Sequence, residues 1–352
     1  MPPDENKTLY LYYFSGTGNS YRIAKWTQEY FSKSNFNTFI SSITDKNSIN
    51  NIKNDKSFSI GFFFPTHGFI APFSVIKFAI SLPRKRNAKA IIVATRAGWM
   101  IGKRHLPGVE GTGPLIISLI LFLKGYDIRG FFAVDMPSNW LQVHWGLKPE
   151  NTNWFTEKAK IKTIKNLEEI IGGKRIYRGW ISIFLGIILF PLSLAYLFIG
   201  RFTLSKIMFA DFNCNSCGIC WNNCPLNAIE PKGKDPKPFW TFKCENCQRC
   251  IAFCPKKSIQ TGFLYVILIH HFTTISFTVV IMLLPGHLNI PQFLFKVLNI
   301  GYYLLFVYLG YFVLFYLSKI NILNRMFAYT TPTKIFRRYH EPVTTLTELS
   351  SR

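Results

Sequence analysis

The sequence contains CNSCGICWNNCP at residues 214–225 and CENCQRCIAFCP at residues 244–255, which is the pattern C-x2-C-x2-C-x3-C-P written twice. These two runs hold all eight cysteines of the chain. Short x2 spacers let three thiolates of a run point at one centre, and soft thiolates are ligands for iron–sulfur clusters and for zinc. Zinc needs only four ligands, which leaves the third cysteine of each run without a use. A disulfide framework needs an oxidising compartment. The pattern therefore favours iron–sulfur clusters.

The double run resembles the two-cluster ferredoxins of bacteria over about residues 210–262. In that family, the cysteine before each proline serves the cluster of the other run. The resemblance implies two [4Fe-4S] clusters. The implied ligands of the first are Cys214, Cys217, Cys220 and Cys254, and those of the second are Cys244, Cys247, Cys250 and Cys224.

The composition indicates an association with membranes. Of the 352 residues, 49% are hydrophobic and only 17% are charged, which is a low charged fraction for a soluble chain. The formal net charge is +23, but no nucleic-acid recognition motif accompanies it. A basic surface that faces anionic lipid explains this charge better than nucleic-acid binding does. The length suits two or three domains, and the first residues lack the basic and apolar parts of a signal peptide.

A small-residue loop follows the first apolar run of the chain. Residues 8–14 (TLYLYYF) have the length of a strand, SGTGNS follows at residues 15–20, and helical periodicity begins at Tyr21. A strand, such a loop and a helix form an anion cradle, because backbone N–H groups and the positive helix end face the ligand. The loop is neither a Walker sequence, since the lysine is missing, nor G-x-G-x-x-G. The alternative is an ordinary strand–helix turn.

The string YYFSGTGNS resembles the phosphate loop of flavodoxins, whose S/T-x-T-G-x-T pattern binds the FMN phosphate through neutral donors. Ser20 stands where threonine is usual and keeps the hydroxyl. With MPSNW at residues 136–140, the likeness is to proteins that fuse a short flavodoxin to a two-cluster ferredoxin. The resemblance implies FMN as a cofactor, with its phosphate at Ser15, Gly16, Thr17, Gly18, Asn19 and Ser20.

Further strand-like runs at residues 58–64, 89–94 and 127–134 alternate with helical patterns. This alternation predicts an α/β domain with a flavodoxin-like, doubly wound parallel sheet. Ligands of such sheets lie beyond the carboxyl ends of the strands. By resemblance to flavodoxins, the loops at 65–70 and 95–102 flank the isoalloxazine. Their candidate residues are Thr66, His67, Gly68, Ala97, Gly98 and Trp99, with Trp99 either stacked on the ring or packed in the loop.

Three uncharged runs, at residues 180–200, 263–291 and 297–317, each contain about 20 apolar residues, enough to cross the hydrocarbon core as a helix. Residues 201–262 contain nine basic and four acidic residues, and residues 318–352 contain six basic and two acidic residues. Segments next to membrane runs that are rich in basic residues are expected in the cytoplasm. The second and third runs therefore predict a transmembrane hairpin.

A complete crossing by the first run would place a bilayer between the flavin and the clusters and would stop electron transfer between them. Pro191 interrupts this run and disrupts a helix, so we expect residues 180–209 to form a re-entrant or interfacial helix pair bent near Pro191. The predicted domains are the FMN domain (1–150), a helical linker (151–179), the bent pair (180–209), the ferredoxin domain (210–262), the hairpin (263–320) and a cytoplasmic tail (321–352).

Three histidines are candidate catalytic residues. His67 could hydrogen-bond to the flavin or relay a proton, or it could be a loop histidine without a role. His270 and His271 lie within a predicted membrane run, where polar groups are costly and mark function. They could bind a quinone carbonyl, relay protons or ligate a haem, although the other two runs offer no obvious opposite haem ligand. Alternatively, they could bond to neighbouring helices for structure alone.

These features predict an FMN- and [4Fe-4S]-dependent oxidoreductase at the cytoplasmic membrane, with both redox domains facing the cytoplasm. Its expected acceptor is a quinone or an unsaturated lipid, and a low-potential ferredoxin-type protein is the expected donor. One alternative is an electron carrier without its own substrate that docks onto a membrane enzyme. Another is a redox sensor or assembly factor with structural clusters. Nucleic acid is not an expected partner.

Overall fold

The computed structural model describes residues 8–45, 47–53, 57–86, 88–102, 104–283 and 291–349. The chain forms two compact units. The first comprises Met1–Trp140, Gly146–Tyr196 and Tyr339–Arg352, and the second comprises Leu141–Trp145 and Leu197–Arg338. The SGTGNS loop therefore lies in the first unit, and all eight cysteines lie in the second.

Within the described residues, the first unit is built on a sheet of seven strands. They are β1 (Thr8–Tyr13), β2 (Asn37–Ser42), β3 (Phe58–Pro65), β4 (Lys89–Ile101), β5 (Arg104–Leu106), β6 (Asp127–Pro137) and β7 (Ile176–Tyr177). Their order is β2-β1-β3-β4-β6-β7, with β5 antiparallel beside β4 and the other pairs parallel. Without the short β5, the first five strands have the 2-1-3-4-5 order of the flavodoxin-like doubly wound fold. The flavodoxin-like α/β fold is confirmed for this unit.

Two pairs of helices pack beside this sheet. The first five helices of the chain, all in the first unit, are α1 (Asn19–Lys33), α2 (Asn50–Lys53), α3 (Phe73–Ser81), α4 (Gly113–Leu123) and α5 (Pro149–Ile171). Helix α1 packs against α5, and α3 packs against α4. The strands between them are apolar because parallel strands are buried on both faces. Leu9, Ile60 and Ile92, on β1, β3 and β4, have no exposed surface.

Strands β4 and β6 extend beyond their predicted ends at residues 94 and 134. Parallel pairing continues as far as Gly98 opposite Pro137. It is stabilised by Arg96, whose Nε donates to Asp135 Oδ1 at 2.8 Å on the facing strand. Beyond Gly98, β4 pairs with β5 as a hairpin. The prediction of a loop at 95–102 is therefore wrong, because the pairing with β6 and β5 uses these residues as strand.

The first uncharged run forms a broken helix. It begins as α6 (Trp180–Ile188) and continues after Leu189 as α7 (Phe190–Ala195), a π-helical turn (Tyr196–Gly200), α8 (Arg201–Thr203) and a 3-10 turn (Leu204–Ile207). The segment Trp180–Ile188 is bent by 70° relative to Phe190–Ile207. Pro191 lies at the start of α7, where a missing N–H costs least because the first helical N–H groups have no intrahelical partner. The bend therefore falls immediately before the proline.

The second unit contains two small antiparallel sheets and the C-terminal helices. Strand β8 (Met208–Ala210) pairs with β11 (Ile259–Thr261), and β9 (Ile229–Lys232) pairs with β10 (Lys237–Trp240). Its remaining helices are α9 (Ile219–Asn222), α10 (Arg249–Ala252), α11 (Phe263–Leu283), α12 (Gln292–Leu317) and α13 (Asn321–Tyr329), and α14 (Leu346–Leu349) ends the described chain in the first unit. Trp240 and Tyr311 are fully buried in the core of the second unit, where the Tyr311 hydroxyl accepts a hydrogen bond from the backbone N–H of Trp240 at 3.0 Å.

Among the described residues, α12 is the one continuous helix long and apolar enough to span a membrane. The bent segment Trp180–Ile207 reaches this length only if its two parts are taken together. The apolar stretch Phe263–Ser276 of α11 is shorter. The connection of the predicted hairpin, residues 284–290, lies outside the described residues.

Candidate cofactor sites

The SGTGNS loop joins β1 to α1 and is almost completely buried. Gly18 adopts φ +99° and precedes the first residue of α1, a conformation that favours glycine. Its N–H donates to Ser15 Oγ at 3.1 Å, which closes the turn. The amino end of α1 has no side-chain cap and no acidic residue in its first turn. A buried helix end without caps leaves N–H donors for an anion.

Side chains of this loop connect the carboxyl ends of three strands. Ser20 Oγ lies 2.8 Å from Thr95 Oγ1 on β4. Asn19 Nδ2 donates to the carbonyl of Pro137 at the end of β6, at 3.0 Å. Asn139, just beyond β6, donates to Thr17 Oγ1. The predicted phosphate residues are thus brought together, with Gly16 contributing backbone within the loop. Thr95 and Asn139 are structural partners that the sequence motif did not single out.

The loop after β3 is a tight turn at the same edge of the sheet. The Thr66 N–H donates to the Thr95 carbonyl at 2.9 Å, and His67 exchanges backbone hydrogen bonds with Ile70. Gly68 has φ +57°, and a Cβ at this position would lie 2.4 Å from the ring of Tyr196. Tyr196 therefore packs directly on this turn, a contact that the sequence alone did not indicate.

Two buried hydroxyls at this edge have no hydrogen-bond partner within the described chain. They are Thr66 Oγ1, after β3, and Ser138 Oγ, after β6. Buried polar groups without a partner are uncommon, and a ligand is one explanation for them. Together with the uncapped end of α1, they fit a phosphorylated cofactor with polar ring atoms, such as FMN.

The third predicted flavin segment has a different local structure from the one expected. Ala97 and Gly98 pair with Met136 and Pro137 as β-strand. A Cβ on Gly98 would lie 2.3 Å from the ring of Phe155 on α5, so Gly98 permits the close packing of α5. Trp99 lies in the β4–β5 hairpin, partly exposed, opposite Leu106. Its stacking on a flavin stays a prediction.

Burial lowers the pKa of His67 to about 4. The imidazole is therefore neutral at physiological pH and can both donate and accept a hydrogen bond. The Tyr196 hydroxyl lies 3.3 Å from His67 Nδ1. In this state, His67 presents a neutral hydrogen-bonding group at the edge of the sheet, without a positive charge.

The depressed pKa of His67 predicts a pH-dependent stability. Between pH 6.5 and about 4 the unfolded chain binds a proton at His67 that the folded chain does not. Stability is therefore lost as the pH falls through this window, by up to about 3 kcal/mol at about 1.4 kcal/mol per unit. We expect His67→Gln to unfold at a temperature that falls less between pH 7 and pH 4.5 than that of the wild type, in thermal unfolding followed by circular dichroism. Equal slopes for the two proteins would contradict this assignment.

The cysteines of the second unit line two separate cavities. The first is lined by Cys214, Cys217, Cys220 and Cys254. The second is lined by Cys224, Cys244, Cys247 and Cys250, together with Cys220. The cysteine before each proline thus lies in the cavity of the other run. Cys217, in the first cavity, is exposed, whereas Cys244, in the second, is buried.

The two cysteine runs share one backbone conformation, repeated after 30 positions. Positive φ angles occur at Ser216 (58°) and Asn246 (56°), two residues after the first cysteine of each run. They recur at Asn227 (47°) and Lys257 (49°), three residues after each Cys-Pro cysteine. Left-handed backbone at non-glycine residues is uncommon. Its recurrence at matched positions indicates that each run folds around the same kind of centre.

Backbone N–H groups point at the cysteine sulfurs. Ala228 N–H donates to Cys224 Sγ and Ser258 N–H to Cys254 Sγ, both at 3.3 Å, again 30 positions apart. Asn246 N–H donates to Cys244 Sγ at 3.4 Å. Donors of this kind stabilise thiolates and tune the potentials of iron–sulfur clusters.

The cysteines do not form a single-ion site. Among the described residues, no three His, Cys, Asp or Glu side chains are close enough together to hold one metal ion. Thiolates around a four-iron cluster are further apart than those around one ion, because the cluster itself occupies the space between them. Burial raises the pKa of Cys220 to about 12 and that of Cys247 to about 11, so their thiolate forms need a cationic partner. The eight cysteines are compatible with iron–sulfur clusters.

His270 and His271 lie side by side on the exposed surface of α11, with ring centroids 5.8 Å apart. The buried side of this helix is formed instead by residues such as Tyr265 and Ile269. The structure therefore does not bring the two histidines together with the cysteines, and the expectation that they bond to neighbouring helices is not met within the described residues. Their role in catalysis stays a prediction.

Comparisons with known proteins identify similar folds only. No protein-family model matches the chain, and no curated protein does. Among solved structures, a flavodoxin of Streptococcus pneumonia TIGR4 is 11% identical, with a TM-score of 0.30, and the match covers 44% of this chain and 99% of that one. Flavodoxin 1 from Bacillus cereus is 13% identical, with a TM-score of 0.33, over 47% of this chain and 98% of that one. A flavo di-iron protein from Thermotoga maritima is 12% identical, with a TM-score of 0.29, and the match covers 48% of this chain and 37% of that one. Because these TM-scores are low, the flavodoxin-like assignment rests on the strand order of this chain.

Proposed function

We propose that this protein is a membrane-bound iron–sulfur flavoprotein oxidoreductase. In this proposal, two [4Fe-4S] clusters supply single electrons and FMN joins one-electron to two-electron chemistry, so that a membrane-soluble acceptor is reduced. The observation that carries the proposal is the arrangement of the eight cysteines around two cavities, which share Cys220, with the Cys-Pro cysteines exchanged. A zinc ribbon or a disulfide framework has no need for that arrangement.

The first unit would hold FMN by its phosphate and its ring. The uncapped end of α1 and the hydroxyls of Ser15, Thr17 and Ser20 provide neutral donors for the phosphate. The unpartnered hydroxyls of Thr66 and Ser138 are available to polar atoms of the ring. Neutral His67 offers a hydrogen bond without adding positive charge to the site.

The second unit would hold both clusters. Cys214, Cys217, Cys220 and Cys254 would bind the first, beside the exposed Cys217. Cys224, Cys244, Cys247 and Cys250 would bind the second, beside the buried Cys244. Because a solvent-accessible cluster is the one that an external protein can approach, we propose that a low-potential ferredoxin-type donor delivers electrons at the first.

The charges beside the apolar runs support a cytoplasmic position. Residues 201–262 and 318–352, which flank these runs, are both rich in lysine and arginine. Basic flanks of this kind favour the cytoplasmic face of the inner membrane.

Exposed apolar side chains support contact with a bilayer. Ile181, on α6, is 81% exposed, and Phe293, on α12, is 79% exposed. Exposed apolar surface of this extent marks an interaction site. The bent segment 180–207 suits a re-entrant or interfacial position, because its polar backbone at the break would be costly in lipid without cover from protein.

On the first unit, α4 exposes Leu119, Phe122 and Leu123. Lys124 follows α4 directly in the sequence, and its backbone carbonyl accepts the N–H of Lys85. Apolar side chains bordered by cations are typical of surfaces that bind anionic lipid.

The exposed Cys217 also favours a second candidate function, that of an electron carrier which docks onto a membrane enzyme and has no substrate of its own. One redox titration separates the two functions. The full-length protein would be purified anaerobically in detergent, reduced with dithionite and then mixed with a panel of quinones and unsaturated membrane lipids.

For the oxidoreductase, we expect flavin and iron–sulfur absorbance to bleach together and a lipid-soluble compound to restore both. Reoxidation by electron-carrier proteins alone would favour the carrier. Protein that contains neither iron nor flavin would contradict both functions.

A further inference from the structure

The last described residues of the chain return to the first unit and contact the phosphate loop. Tyr339–Arg352 belongs to this unit, more than 300 positions after the loop. The N–H of Glu341 donates to the carbonyl of Thr17 at 2.7 Å. The hydroxyl of Tyr339 donates to Asn19 Oδ1 at 3.0 Å. We call residues 339–349 the C-terminal segment.

The C-terminal segment is packed tightly against Gly18. A Cβ on Gly18 would lie 2.7 Å from Glu341 Cβ and 3.1 Å from Thr344 Cβ. Glu341 is 1% exposed and Thr344 is 4% exposed. The loop and the segment therefore exclude water from each other, and contact extends along the whole Thr17–Gly18 turn.

A second group of contacts anchors the end of the segment. The Tyr13 hydroxyl, at the end of β1, donates to the Glu348 carbonyl at 2.9 Å. The Tyr21 hydroxyl, in the first turn of α1, donates to Glu348 Oε1 at 3.3 Å. Arg22 Nε lies 3.7 Å from Glu341 Oε1. These contacts tie the segment to the elements on both sides of the loop.

The peptide group between Thr17 and Gly18 is held at both of its ends. Its carbonyl accepts from Glu341 N–H, and its N–H donates to Ser15 Oγ. Asn19 is held similarly, since its amide nitrogen donates to Pro137 while its oxygen accepts from Tyr339. A peptide group next to a glycine with positive φ can rotate readily, because glycine tolerates many backbone conformations. Two hydrogen bonds to the same group prevent that rotation.

We propose that the C-terminal segment positions the phosphate loop for its ligand. It contacts the Thr17 carbonyl and so keeps the loop in one conformation, in which the N–H groups at the start of α1 are directed at the phosphate. This inference rests on the proposed binding of FMN. It adds that the C-terminal segment is needed to complete the phosphate site. A chain that ends before Tyr339 would bind the isoalloxazine but would have a disordered phosphate site.

Riboflavin separates the phosphate from the ring, since it lacks the phosphate. Full-length protein and a variant that ends at Arg338 would be freed of flavin and titrated with FMN and with riboflavin by fluorescence quenching. We expect the truncation to raise the Kd for FMN at least tenfold while the Kd for riboflavin changes less than twofold and the iron content stays constant. An unchanged Kd for FMN, a lower one, or an equal loss for both ligands would overturn the proposal.

Tyr339→Phe tests the same inference without a truncation that could unfold the unit. It removes only the hydroxyl that binds Asn19, and we expect it to raise the Kd for FMN about threefold to tenfold. Val343→Ala is the matched control, because Val343 lies in the same segment but is 63% exposed, and its Kd should equal that of the wild type. A Tyr339→Phe Kd equal to that of the control would overturn the proposal. Full-length protein that binds neither flavin would instead contradict the proposed function.

Discussion

Replacing Gly18 with alanine is expected to raise the Kd for FMN at least thirtyfold. Gly18 has φ +99°, and this left-handed conformation costs an alanine about 1–2 kcal/mol. The added Cβ would also lie 2.7 Å from Glu341 Cβ, which must shift. In the free variant, the loop avoids both penalties by adopting another conformation. Binding of the phosphate must then return the loop to the strained conformation, which costs the same free energy. A total of about 2 kcal/mol corresponds to roughly thirtyfold in Kd.

Gly173→Ala is the control for the backbone part of this effect. Gly173 follows α5 with φ +91°, but nothing lies within 4 Å of a Cβ there. Both variants carry left-handed strain, and only Gly18→Ala disturbs the phosphate loop. Isothermal titration with FMN should therefore give a wild-type Kd for Gly173→Ala. A similar loss of affinity for FMN in both variants would mean that general destabilisation explains the result. Wild-type affinity in both variants would mean that the phosphate binds elsewhere.

Replacing Cys254 with alanine is expected to remove the cluster of the other cysteine run. Cys254 lines the cavity of Cys214, Cys217 and Cys220, so its loss should leave the second cluster in place. Bound iron should fall from about eight to about four atoms per chain, the content of one [4Fe-4S] cluster. The electron paramagnetic resonance spectrum of the remaining reduced cluster should equal that of Cys217→Ala.

The matched control is Cys224→Ala, the corresponding change in the first run. Because Cys224 lines the second cavity, Cys224→Ala should keep only the cluster of the first cavity, and its spectrum should equal that of Cys250→Ala. This cluster lies beside the exposed Cys217. A chelator should therefore remove iron from Cys224→Ala faster than from Cys254→Ala. If Cys254→Ala matched Cys250→Ala instead, each run would bind its own cluster and the exchanged assignment would be wrong.

The parts of this structure that local sequence determines were predictable. The YYFSGTGNS string combines an apolar run, a glycine that tolerates positive φ and a helical pattern, and it folds as strand, turn and helix. Local sequence does not determine that Cys224 and Cys254 line each other's cavities, an arrangement that the resemblance to two-cluster ferredoxins implies.

Features that depend on distant partners were not predictable from one sequence. The extension of β4 depends on Asp135, which pairs with Arg96 from 39 positions away. The contact of Tyr339 with Asn19 spans 320 positions, and no pattern in the last residues of the chain indicates it. Likewise, the apolar pattern around His270 predicts a helix but does not determine which side of that helix is buried.

The 30-residue repeat of the second unit has a consequence for how such a protein changes in evolution. Matching backbone at Asn227 and Lys257 is what duplication of one ancestral half would leave behind. In the proposed arrangement, where the cysteines before the prolines are exchanged, deletion of either run would remove ligands of both clusters. Neither run could then hold a cluster alone, so damage to the one beside the exposed Cys217 would also affect the run that contains the buried Cys244.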